Sequence, residues 1–342
     1  MSAPENPQTW DEAVLATQHN PHFMQSMAWA EFKTGSGWTP AGEHLEDAAG
    51  NDVLAIQEFS RPAFGLGTLI HAPRVAGINS ASLKLLTEHA QAHAGGKFLS
   101  YKIETFQQRD PALIEEFTKL GWVPARASQY RWAVTVQFDK PADDLFAGFS
   151  KHHRRDIRAA QRSDAVIERV EFTEENIAMA LKLIRVTESR SGAFFRSEDY
   201  LRRAWDTFNK AGQARLYFTK FEDEVLAAAV VFTFGKKGWY KDGGSVRTKK
   251  VANGPLLMQW TIMQDLMAEG FTEYELGNIP DPQNHGDSSM QGLYRFKSGF
   301  TETPDDYMPA FEYPLNSRSA FWRKNESKFL SLYRRLRRDY WY

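Results

Sequence analysis

Several lysines and arginines of this chain stand among aromatic and glycine residues, and these are the groups best suited to chemistry. The block GLYRFKSGF, residues 292–300, sets Lys297 between Phe296 and Ser298. In GAFFRSEDY, Arg196 and Tyr200 are four residues apart and share a face if the helical turn continues. GWYKDGGS places Tyr240 just before a glycine turn, and QSMAWAEFKTGSGW ends an aromatic helix face on Lys33. Fixed cations of this kind can hold a phosphate or a developing oxyanion, an arginine doing so through two parallel hydrogen bonds. Each block taken alone equally suits a buried aromatic beside a solvent-facing charge. If residues 292–300 form a strand, Tyr294, Phe296, Ser298 and Phe300 point one way, and Leu293, Arg295, Lys297 and Gly299 the other.

Other chemistries lack their residues. The chain has no cysteine, so thiolate catalysis, disulfides and cysteine-based metal sites are excluded. No G-x-S-x-G elbow and no G-x-x-x-x-G-K-[ST] phosphate loop occurs. The nearest approach to the pyrophosphate loop of acyl-CoA acetyltransferases is RPAFGLG (61–67), one residue too long and lying between strands, so CoA use is not expected. His152 and His153 are adjacent and would diverge by about 100° on a helix, and the remaining histidines look scattered. Neither a metal nor a cofactor is expected. The net charge of −1 gives no general basic field, so any polyanion must meet a local patch. Two patches stand out. KHHRRDIRAAQR carries Lys151, Arg155, Arg158 and Arg162 near one face. The last stretch carries Arg318, Arg323, Lys324, Lys328, Arg334, Arg335, Arg337 and Arg338, opposed only by Glu326 and Asp339. Each suits a solvated face, RNA phosphates or an anionic membrane surface, and the second also suits a docking helix.

The elements that must position these groups follow from periodicity and punctuation. With 342 residues, two domains are expected. Each reads as helices, a run of antiparallel strands, a helix ending in Gly plus an aromatic (Gly121-Trp122 and Gly270-Phe271), and a further strand. Asn79, Thr173 and Ser197 read as helix caps. DDLFAGFSKHHRRDIRAAQRSD reads as one basic helix. The fold class is therefore α+β: two tandem N-acetyltransferase-like domains with mixed, mostly antiparallel sheets and flanking helices. Their expected limits are 1–142 and 143–312. Residues 313–342 form a basic C-terminal helix packing back on the first domain, with Phe321, Phe329, Leu332, Tyr333 and Leu336 as its apolar side. The polar, acidic N-terminus is no signal peptide, and the apolar run 225–234 is too short to span a bilayer. A cytoplasmic protein is expected.

In order, these blocks resemble the Fem-type peptidyltransferases, the FemABX family that builds the interpeptide bridge of peptidoglycan. The resemblance runs through F-x-Q-S-x-x-W-x-x-x-K (23–33), APRVAG (72–77), SKHHRRDIRAAQR, FFRSEDY, WYKDGGS, NGPLLMQW, YELGN and GLYRFKSGF. It implies two acetyltransferase-like domains that do not use CoA. The donor would be aminoacyl-tRNA, and the acceptor the stem-peptide side-chain amine of lipid II or UDP-MurNAc-pentapeptide, met at the inner face of the membrane. It implies that Lys33 and Arg196 hold the acceptor's phosphates, with Tyr200 and Tyr240 nearby, and that Lys297 lies at the transfer site. Where the family often has Ile-Asp-Pro, this chain has Ile103-Glu104-Thr105, leaving Glu104 as the candidate acceptor-binding carboxylate or base. Arg-Gly-Pro becomes Arg74-Val75-Ala76. The coiled-coil arm of some members is absent, so tRNA would meet Arg155 and Arg158 or Arg334 and Arg335. The alternatives are another amide-forming acyltransferase on this fold, using aminoacyl-tRNA or acyl-CoA, and a non-catalytic RNA- or membrane-binding protein.

Overall fold

The structure, a computed structural model, describes residues 7–191, 196–248, 253–284, 288–301, 303–337 and 339–342. Phe194 and Phe195 of the FFRSEDY block, residues 285–287 of the loop before Gly292, and Arg338 lie outside the described residues.

The chain opens with α1 (Pro7–Thr17), a 3-10 turn (Phe23–Gln25) and α2 (Met27–Thr34). Strands β1 (Thr39–Glu46), β2 (Asp52–Pro62) and β3 (Thr68–Val75) follow, then α3 (Ser80–Ala92), β4 (Phe98–Thr105), α4 (Pro111–Lys119) and β5 (Val123–Pro124). Next come β6 (Trp132–Gln137), α5 (Ala142–Gly148), α6 (Lys151–Gln161), β7 (Val166–Val170), α7 (Glu174–Ser191) and α8 (Glu198–Lys210). Strands β8 (Ala214–Phe221), β9 (Glu224–Phe234) and β10 (Lys237–Ser245) lead to α9 (Gly254–Ala268), β11 (Glu273–Asn278) and α10 (Ser288–Ser298). The chain closes with β12 (Asp305–Asp306), β13 (Ala310–Pro314) and α11 (Ser319–Arg337).

Two compact units result, Met1–Arg131 with Asp306–Tyr342, and Trp132–Asp305. Their limits differ from the expected 142/143 and 312/313. Alternation in QYRWAVTVQFD marks a strand but not its sheet, and β6 pairs with β11 of the second unit. Strand β13 pairs with β4 and β5 of the first. The sheets run β1-β2-β3-β4-β13-β5 and β12-β6-β11-β10-β9-β8-β7. Both follow one plan: an antiparallel meander, a crossover helix, and a strand returning parallel to the last of the meander. In unit 1, α3 crosses from β3 to its parallel partner β4; in unit 2, α9 crosses from β10 to β11. The counterpart of α9 is therefore α3, not the helix before Gly121-Trp122. Parallel pairing needs such a crossover, and each helix buries an apolar face on its sheet.

Local signals explain the elements. Asn79 caps α3 by accepting from the amides of Ala81 and Ser82, and the Asn79 amide in turn donates to the Ser82 hydroxyl. Thr173 caps α7 through the Asn176 amide, and Ser197 caps α8 through that of Tyr200. The expected single basic helix is two, because Phe149 and Ser150 are extended and Ser150 starts α6 by accepting from the His153 amide. In α11 the inward face is Ser319, Trp322 and Glu326, with Phe329 and Tyr333 partly covered. Phe321, Leu332 and Leu336, expected on the apolar side, are 54%, 52% and 72% exposed.

Helix α11 is tied to its sheet by charge as well as apolar contact. Lys102 Nζ donates to Glu326 Oε1 at 3.1 Å with both side chains almost fully buried, and Arg323 reaches the buried Glu312 at 2.9 Å. A buried ion stripped of its partner is costly, whereas replacing both by apolar groups is nearly neutral. Glu326→Ala is therefore expected to destabilise unit 1 by about 3–5 kcal/mol in urea unfolding. The double variant Lys102→Met/Glu326→Leu is expected to recover most of that loss; equal damage in both would show that the ion pair is not what holds α11.

Candidate active site

Lys297 lies on a helix rather than a strand. The aromatics of GLYRFKSGF suggest alternation, but residues 288–298 form α10, whose Tyr294 and Phe296 pack on the core of unit 2 with Phe300 just beyond the helix. Lys297 is carried onto the same inward side and is 5% exposed. The C-terminal end of α10 is fixed from α6: His153 Nε2 donates to the Phe296 carbonyl at 2.9 Å, and the Ser150 amide to that of Gly299 at 2.9 Å. Burial lowers the pKa of His153, outweighing the Phe296 carbonyl contact, which favours the charged ring.

The Lys297 ammonium donates to the Asn278 carbonyl, at the end of β11, at 2.8 Å. The backbone bulges there, between Glu275 and Gly277. Gly277 has φ +78°, and a Cβ at that position would stand 3.7 Å from Lys297 Nζ and 3.8 Å from the Tyr240 carbonyl. A glycine thus meets two needs at once, a left-handed turn and the side of the lysine site. Glu275 is fully buried and attracts the Lys297 charge, but its carboxylate is already bound by Lys237 at 3.2 Å. Burial therefore wins, and the Lys297 pKa is pushed down to about 7.

Tyr240 stands on β10 beside a bulge, and its phenol lies where a Cβ on Gly243 would be, which accounts for the glycine turn after it. Burial, and then the charge of Asp242, push its hydroxyl well above the usual phenol range. Asp242 also accepts from Trp205 Nε1 at 2.9 Å, tying β10 to α8. At the start of α8, the Arg196 guanidinium stacks on Tyr200, 4.5 Å from the ring centroid. Arg196 precedes the Ser197 cap, so the pair meets across the helix start rather than along one helical face. Lys297 and Tyr240 thus share the β10–β11 end of unit 2, and Arg196 and Tyr200 are joined to that sheet through α8.

Lys33 and Glu104 belong to unit 1. Lys33, in the last turn of α2, is buried between the rings of Trp29 and Trp38, 5.7 and 5.3 Å from their centroids. Glu104 accepts from His71 Nε2 at 3.0 Å, from the Ser128 amide and hydroxyl, and from the Gln129 amide at 2.9 Å. Burial alone would raise its carboxyl, but the bonds from His71 and Ser128 and the charge of Lys102 hold it well below the usual carboxylate range. Its lone pairs anchor the 128–129 loop, which makes it a poor base. Arg155 and Arg158 are exposed on α6 with Lys151 and Arg162, Arg155 pairing with Asp156 at 2.7 Å. Arg334 and Arg335 are exposed on α11 beside Leu332 and Leu336.

The histidines that look scattered along the chain are not all scattered in the fold. His89 and His93 meet Glu58 in unit 1. The signal was an H-x-x-x-H spacing on a capped helix, which puts both rings on one face.

Two sheets on one plan, each with a crossover helix, define a tandem protein of the acetyltransferase (GNAT) fold. The Acetyltransferase (GNAT) domain family model matches residues 147–298. A crystal structure of FemX superposes with TM-score 0.79 at 19% identity, covering 95% of this chain and 99% of that one. The lipid II:glycine glycyltransferase of Staphylococcus haemolyticus is 22% identical over 230 residues, 63% of this chain and 54% of that protein. Its Staphylococcus aureus counterpart is 22% identical over 233 residues, 64% and 55%. The chain shares the fold of FemX and is similar to these glycyltransferases, its match spanning about half the length of these two relatives.

Lys297 predicts a pH signature in stability. Its folded pKa of about 7 lies below the ordinary 10.5. Between those values the unfolded chain holds a proton that the folded chain has released, so stability rises with pH across this window. Below it both states are protonated, and the cost of burying the charge is fully present. Lys297→Met removes the titration. In urea unfolding, its stability relative to wild type is expected to be most favourable below pH 7 and to shrink as pH rises toward 10. A difference independent of pH would mean that Lys297 is not charged at a cost in the fold.

Proposed function

We propose that the protein transfers an amino acid from aminoacyl-tRNA to the stem-peptide side-chain amine of a lipid-linked or nucleotide-linked peptidoglycan precursor. The observation that carries this reading is Lys297, a buried lysine at a glycine-opened turn with its pKa pushed down to about 7, in a chain of Fem-type fold. The names of the glycyltransferase relatives support the acceptor class.

An aminoacyl ester is already activated, so no protein nucleophile is required; positioning and proton management are. The acceptor amine attacks the ester carbonyl, a C–N bond forms, and the C–O bond to the tRNA 3′-oxygen breaks. Neutral Lys297 takes the proton released by the amine. The resulting ammonium then faces the developing oxyanion and gives the proton to the leaving 3′-oxygen. One residue thus serves as base and then as the cation read from the sequence. Lys33 and Arg196 bind the acceptor's phosphates, Tyr200 and Tyr240 flank it, and Arg155 and Arg158 meet tRNA phosphates. Helix α11 offers exposed Leu332 and Leu336 beside Arg334 and Arg335, a combination suited to an anionic lipid surface. Among the described residues no helix is long and apolar enough to cross a membrane.

The test incubates purified protein with a charged-tRNA pool and either lipid II in anionic vesicles or UDP-MurNAc-pentapeptide, and reads the acceptor by mass spectrometry. A mass gain of one aminoacyl residue is expected. Lys297→Ala is expected to abolish it with acceptor binding kept, and Lys33→Ala or Arg196→Ala to weaken binding. No gain with any amino acid would sink the reading. Activity is expected to rise through about pH 7 as Lys297 loses its proton. Lys297→Arg, permanently charged, is expected to lack that limb; a wild-type profile that falls instead would leave Lys297 the cation role alone.

A further inference from the structure

We propose that unit 1 carries a binding site for a zinc-class divalent cation, formed by Glu58 of β2 and by His89 and His93 of α3. One ligand atom from each of these residues lies within 4.8 Å of the others. His89 Nε2 is 3.0 Å from Glu58 Oε2, and the two imidazoles meet edge to face at 5.0 Å. Glu58 is 5% exposed. The His89–Glu58 contact explains two members of the set as an ordinary hydrogen-bonded pair, but it leaves the third unexplained. His93 Nε2 is shut off from solvent and has no hydrogen-bond partner. An orphaned imidazole nitrogen on the ring beside a buried His–carboxylate pair is what a metal ligand looks like without its ion.

The surroundings favour a cation. Glu43 on β1 pairs with Ile56, two residues from Glu58, so both carboxylates rise on the face that α3 covers. His93 is the C-cap of α3, where the helix dipole is negative. Tyr101 and Phe98 wall the rings at 5.7 and 4.9 Å. Two imidazoles and a carboxylate without sulfur suit zinc and its neighbours cobalt and nickel rather than calcium or magnesium. Such an ion would clamp the end of the crossover helix to β2. The site is independent of the proposed transfer reaction.

The test strips the full chain with a chelator and titrates it with zinc against a chromophoric competitor, and with cobalt followed by its visible absorption. One equivalent is expected to bind, more weakly as the solution is acidified, because His89 and His93 must be deprotonated. Zinc is expected to raise the thermal midpoint. His93→Gln gives up no hydrogen bond at Nε2 and so is expected to fold like wild type by circular dichroism. It and Glu58→Gln are each expected to lose at least the roughly tenfold in affinity that even an outer-shell change costs, together with the thermal shift. Absence of binding to the stripped wild type, or binding equally tight in both variants, would overturn the site.

Discussion

A lysine ammonium kept from water must be repaid in hydrogen bonds or give up its proton. In unit 2 the repayment is incomplete by design of the surroundings. The Asn278 carbonyl is offered to Lys297, while the nearby carboxylate of Glu275 is already held by Lys237. Much of the local structure serves that arrangement: the bulge in β11, the left-handed Gly277, and His153 holding the last turn of α10. Full pairing with Glu275 would keep the lysine a permanent cation. Its absence leaves a group that can change charge near neutrality.

The same plan is built twice and put to different uses. In unit 2 the crossover connection delivers β11, whose end carries the lysine site. In unit 1 the corresponding position holds Glu104, whose acceptors are occupied by His71 and the 128–129 loop. Unit 1 instead concentrates buried charge under α11 and at the end of α3. One architecture thus supports a poised amine in one copy and, around Glu104 and under α11, fully paired carboxylates in the other.

Strong local signals made most elements legible: α3, α7 and α8 have apolar stripes and clear caps or stops, α9 is an apolar segment buried nearly all round and stopped before Gly270, and β8 and β9 are apolar runs between turns. Elements without that signature were not legible. Strand β1, TPAGEHLE, has Pro and Gly and a single buried residue, Leu45, so nothing in its pattern marks it as half of a long hairpin. Strand β13 is five residues whose membership depends on pairing across the chain. In α10, aromatic residues at 294, 296 and 300 imitated alternation. Lys297 and Tyr240 were singled out as candidates only through the family resemblance; their approach to one another at Gly277 is a product of the fold. The His89–His93 pair was visible as spacing, but its carboxylate lies 31 residues earlier in the chain, on β2.

Strand β13 has a further consequence, for the order in which the protein can assemble. It lies between β4 and β5, yet it is made after the whole of Trp132–Asp305. The second unit is one continuous stretch and is finished while the first still lacks an inner strand and the helix that covers it. Synthesis therefore completes the later unit before the earlier one, reversing the usual order of domain folding. Until residues 306–342 emerge, β4 presents an open edge, which makes the nascent first unit the part of this chain most in need of protection from mispairing.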